Sequence, residues 1–166
     1  MQYHYRYFRF AVVALLLYVP NVWGKYDAGA AHINRMYAAI SKGTARTKVM
    51  RDYFASSASK NFENILACMK GTGDAILDWD VILGGSDSHD GAPFYVKIKH
   101  LADNEYSVVY SVFSDEANSI PVKVQLQTER GNLKIRNIVF KDGSNLAEHL
   151  SNAISIEICR PYSNHR

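Results

Sequence analysis

The chain has little cysteine, little net charge once its first residues are set aside, and no apolar run long enough to cross a bilayer. Cys68 and Cys159 are its only cysteines, too few for a zinc centre without three or four convergent ligands. No histidine stands beside either one, so neither reads as a catalytic thiol. The full chain carries 19 basic and 16 acidic residues; Arg6 and Arg9 lie ahead of an apolar leader, and without them the balance is 17 to 16. A nearly neutral domain lacks the global charge of a nucleic-acid binder.

The apolar run itself, Phe10 to Val19, falls short of the roughly 20 residues a membrane-spanning helix needs. Basic residues before it, Pro20 after it, and Val22 and Gly24 at the two positions a signal peptidase inspects make residues 1–24 read as a secretory signal, with a retained membrane anchor as the alternative. Cleavage is expected after Gly24, with Ala30 as the alternative. No cysteine follows the run, so it is not a lipoprotein signal. Residues 25–166 then form a single domain, periplasmic or secreted, with no membrane contact after cleavage. Two cysteines in an exported chain predict a Cys68–Cys159 disulfide.

What the chain has in quantity is strand pattern. Phe94, Val96 and Ile98 alternate with Tyr95, Lys97 and Lys99; Glu105 to Ser114 carries apolar groups on both faces; Val122, Val124 and Leu126 alternate with Lys123, Gln125 and Gln127; Leu133 to Phe140 follows. Short turns at Ala102-Asp103-Asn104 and Glu129-Arg130-Gly131-Asn132 predict antiparallel neighbours. The second strand belongs in the centre, and Pro121 belongs at a strand start or edge.

Helical spacing flanks this sheet. Asp27 caps a helix through Ile33, Met36, Tyr37 and Ile40, stopped by Gly43. A second helix starts near Thr44 or Thr47 and uses Val49, Met50, Tyr53 and Phe54. After an interruption at Ser56 to Ser59, a third runs from Lys60 to Lys70. Ser144 or Asn145 caps a last helix through Leu146, Leu150 and Ile154 to about Ile158. Asp74 to Ile82 reads as a short extended or single-turn segment packing Trp79 on the sheet, and Gly84 to Pro93 as a loop. Helices, then an antiparallel meander, then a helix is an α+β arrangement with helices on the concave side of a four-stranded sheet.

The run Asn132-Leu133-Lys134-Ile135-Arg136-Asn137-Ile138-Val139-Phe140, continued by Lys141-Asp142-Gly143-Ser144-Asn145-Leu146, resembles the last strand and exit of a family of small bacterial envelope proteins of uncharacterised function. Its members look like nuclear-transport-factor-two-like cones; where they would carry a tryptophan, this chain has Leu133. That superfamily includes isomerases, dehydratases, non-catalytic ligand binders, dimerisation modules and immunity proteins, so the resemblance implies a fold and leaves the function open.

Three chemistries compete for the site. Catalysis in a cone needs an acid or histidine with a tyrosine in the cavity; the candidates are Asp78, Asp80, His100, Tyr53, Tyr95, Tyr106 and Tyr110, none set in a motif. Asp87, His89 and Asp90, with His100, are an incomplete metal set. Strand alternation, by contrast, collects Tyr95, Lys97, Lys99, Lys123, Gln125, Gln127, Lys134 and Arg136 on the side of the sheet away from the helices. The expected function is therefore a binding module without a cofactor, meeting an acidic protein partner, an anionic envelope polymer or a second copy through that cationic face, with an immunity-like role as its sharpest form. The alternative is a small enzyme or carrier of the isomerase or dehydratase kind, using the cavity between helices and sheet.

Overall fold

A computed structural model describes residues 27–74, 77, 80–83, 95–111, 119–156 and 159. The signal segment, Asp78, Trp79, Asp87, His89 and Asp90 lie outside the described residues. Three helices, α1 (Ala28–Ser41), α2 (Arg46–Tyr53) and α3 (Ser56–Thr72), precede four strands, β1 (Tyr95–Ala102), β2 (Glu105–Ser111), β3 (Ile120–Glu129) and β4 (Asn132–Val139); α4 (Leu146–Ser155) closes the order. The strands pair antiparallel in sequence order, with β2 and β3 central.

One core joins the two layers. Ile33, Met36, Tyr37 and Ile40 of α1 meet Val49 and Met50 of α2, Phe62 and Ile65 of α3, and Leu146 and Leu150 of α4. Facing them are Tyr106, Val108, Tyr110, Val122, Val124, Leu126, Ile135 and Ile138, each no more than 5% exposed. The Arg130-Gly131 turn has positive φ at both residues, 51° and 80°, the backbone a two-residue hairpin requires.

Local caps and groups from the sheet together set the helix ends. The Asp27 carboxylate accepts from the Ala30 N–H at 3.0 Å, which satisfies one orphan donor of α1. The third helix begins four residues earlier than its side-chain pattern predicts. The reason is Glu129 of β3, whose carboxylate accepts the Ser56 N–H at 3.0 Å; the actual break is Phe54-Ala55, where Phe54 bridges to Ile135. At the end of α2 the Arg51 and Asp52 carbonyls accept from Lys134 Nζ at 3.1 and 2.8 Å, and His32 Nε2 lies 3.2 Å from the Tyr53 carbonyl. Phe54 N–H returns to Met50 O at 3.0 Å. Several of the carbonyls that the end of α2 leaves without an internal partner are thus taken up.

Cys68 of α3 and Cys159, beyond α4, are joined, with Cα atoms 5.4 Å apart. The bridge ties the last helix to the third, as the cysteine positions predict.

Candidate functional site

The face of the sheet away from the helices is set by register. Across β1, β2 and β3, Lys99 lies opposite Ser107 and Ser107 opposite Lys123; Lys97 lies opposite Val109, which faces Pro121. Lys97 and Lys99 are two positions apart on one strand, about 7 Å, while Lys99 and Lys123 are separated by two strand spacings, about 10 Å. All three are exposed. Among the described residues neither Lys97 nor Lys99 has a carboxylate within ion-pair distance. Lys123 has Glu105 at 3.8 Å, and Gln125 donates to that same carboxylate at 2.8 Å. Tyr95, opposite Ser111, is half-buried at the end of the same face.

Two of the expected cations stand apart. Lys134, opposite Gln127 on the edge strand, reaches round to the end of α2 and spends its ammonium on two carbonyls. Arg136 occupies a β-bulge: Gln125 pairs with Asn137 and Leu126 with Ile135, leaving Arg136 as the extra residue. A bulge breaks the period of two, so Asn137 stands where simple alternation puts Arg136. The face thus has a compact cationic part, Lys97, Lys99 and Lys123, with Gln125 next to it; Asn137 stands opposite Gln125 but its amide oxygen accepts the Ala147 N–H of α4 at 3.1 Å, and Arg136 is exposed at the bulge.

A groove of about 530 Å³ opens where the start of α1 meets the sheet, lined by Asp27, Gly29, His100, Tyr106 and Leu133 among others. Here Tyr106 donates to Asp27 Oδ1 at 2.8 Å, His100 stacks on Tyr106 with ring centroids 4.8 Å apart, and His100 Nδ1 lies 3.9 Å from Asp27 Oδ2. Sequence reasoning took Asp27 only as a helix cap; its partners come from strands about eighty residues away, which no local pattern reveals.

These groups are spent on one another. The Ala30 N–H, the Tyr106 hydroxyl and nearby His100 hold the Asp27 carboxyl below its ordinary value despite some desolvation. Burial, reinforced by the Asp27 bond, pushes the Tyr106 phenol up to about 12. An ionised carboxylate already accepting two hydrogen bonds is a poor base, and a phenol committed to it is a poor oxyanion donor. The trio fixes the start of α1 against the sheet.

Gly29 completes that contact, because a methyl group built there would overlap the Tyr106 hydroxyl and ring. Gly29→Ala is therefore expected to destabilise the fold by about 1–3 kcal/mol through overpacking; thermal unfolding checks it, and an unchanged melting temperature would refute the close packing.

Of the remaining catalytic candidates, Asp80 and Tyr110 meet at one turn but each is spent on another partner. Tyr53 tilts against His32, whose imidazole is held below its ordinary value first by burial. Tyr110 donates to the Leu83 carbonyl, and Asp80 pairs with Arg46. Among the described residues no group of three or more His, Cys, Asp or Glu side chains could hold a metal ion. No family model, curated protein or solved structure matches the chain, so the resemblance drawn from its last strand rests on its own residues.

Proposed function

We propose that the protein is an exported, non-catalytic binding module that captures an acidic protein partner on the outward face of its sheet. The observation that carries this reading is the convergence of Lys97, Lys99 and Lys123 on one face, with two of the three lacking a carboxylate partner among the described residues. Like charges held this close are mildly unfavourable in the free protein, and an acidic partner relieves that repulsion. The Cys68–Cys159 bridge supports an oxidising compartment. No described helix is long and apolar enough to cross a bilayer.

Lys97→Glu/Lys99→Glu/Arg136→Glu tests the proposal. Exposed substitutions on a solvated face change stability by only about 0.5 kcal/mol each, so circular dichroism and melting should stay close to wild type. Affinity capture from the source cells' envelope fraction should lose the acidic protein recovered by the wild type. Identical captured proteins from both chains would overturn the reading.

A further inference from the structure

We infer that the partner's contact segment is an extended strand alternating acidic and apolar residues, which adds to the sheet as a fifth strand along β1. The inference rests on the proposed acidic partner and specifies how it binds.

The two edges of the sheet differ. The edge of β4 is closed by bridges from Val139 to Asn145 and from Ile135 to Phe54, whose neighbour Ala55 donates to the Ile135 carbonyl. Nothing among the described residues pairs with the outer edge of β1.

The backbone groups this edge offers follow from one hydrogen bond. Leu126 N–H donates to Asn104 O at 2.8 Å, and the register places those two residues opposite each other. In an antiparallel ladder bonded pairs alternate, so Tyr106, Val108 and Tyr110 bond toward β3, and Ser107, Val109 and Ser111 toward β1. Their partners Lys99, Lys97 and Tyr95 are then bonded inward. Val96, Ile98 and His100 turn their N–H and C=O groups outward, to the edge that no described residue pairs with.

Side chains agree with the backbone. Tyr106, Val108, Tyr110, Val122, Val124, Leu126, Ile135 and Ile138 on the core side of β2, β3 and β4 are at most 5% exposed, whereas Val96 and Ile98 on β1, like Ile120 at the start of β3, are only partly buried. Leu101, at the end of β1, is 49% exposed. An added strand covers Val96 and Ile98 with its apolar positions, and its alternate side chains fall on the outward face directly beside Lys97 and Lys99. Acidic groups there complete two cross-strand pairs. A second copy of the chain fits less well: antiparallel β1-on-β1 pairing centred on Ile98, the register that engages Val96, Ile98 and His100 together, sets Lys97 against Lys99 of the other copy, and directly opposed like charges are destabilising. In that register the lysines oppose self-association while favouring an acidic strand.

The test uses the disulfide-bonded chain, isotope-labelled, and three acetylated eight-residue peptides. One alternates Glu and Val, one alternates Lys and Val, and one repeats the Glu-Val peptide with N-methyl groups on every second residue. The Glu-Val peptide should slow amide exchange at Val96, Ile98 and His100 and leave Lys97 and Lys99, already in the ladder, unchanged. N-methylation should weaken binding by about tenfold or more, because it removes strand donors. Lys97→Glu/Lys99→Glu should reverse the preference between the Glu and Lys peptides. Glu-Val binding with unchanged exchange at the three outward amides would overturn strand addition and leave the basic face standing. Lack of Glu-Val binding alongside lysine-dependent capture of the cellular partner would do the same. If neither capture nor peptide binding depends on the lysines, both readings fall.

Discussion

Alanine at both Cys68 and Cys159 is expected to lower the melting temperature by roughly 10 °C. The bridge spans 91 residues of sequence, and in the chain-entropy model closing a loop of that length removes about 4–5 kcal/mol of unfolded-state freedom. Residual structure in the unfolded chain reduces the realised value, and about 3 kcal/mol in a domain of this size corresponds to the shift given. Alanine is the right replacement because both residues are nearly inaccessible, at 0% and 2% exposure, and serine would bury an extra hydroxyl. The bridged segment holds the sheet and α4 together, so the variant should also expose α4 to early proteolysis around Leu146, Leu150 and Ala153. Scanning calorimetry with and without reductant gives the same comparison on the natural chain. A shift under about 2 °C in both experiments would show that packing between α3 and α4 makes the bridge redundant.

The features that alternation controls were legible in the sequence. Lys97, Lys99, Lys123 and Gln125 share a face because each lies an even number of positions from the next along its strand or sits across a regular register. The central place of β2 could likewise be read from apolar groups on both its faces. What escaped reading depends on contacts distant in sequence. The early start of α3 needs Glu129, 73 residues away. Lys134 leaves the basic face because α2 ends with open carbonyls 82 and 83 residues before it. The bulge did leave a trace: Ile135 and Ile138, both fully buried, are three apart where a regular strand would have spaced them by two.

Asp80→Ala should be the most damaging single substitution among the polar side chains, costing about 3–5 kcal/mol. Its side chain is 5% exposed and carries three bonds: Arg46 Nε at 2.6 Å, and the Ile82 and Leu83 N–H groups at 2.9 and 3.1 Å. Alanine leaves the Arg46 guanidinium, only 22% exposed, without its counter-charge. It also frees two backbone donors in a turn whose residues Val81, Ile82 and Leu83 are buried to within 3%. Because Tyr110 donates to Leu83 O, the damage reaches the middle of β2. Asp80→Asn separates the contributions: an amide oxygen still accepts from the turn while the charge is lost, so about half the cost should remain. Chemical denaturation measures both variants, and equal losses would mean that the ion pair with Arg46, rather than the turn, holds the segment. The Asp80 turn meets Tyr110 on the core side of the sheet, away from the outward face of Lys97 and Lys99, so the folded fraction of either variant should keep the proposed affinity for an acidic partner. Lost affinity at full folding would instead point to the Asp80–Tyr110 region as part of the binding site.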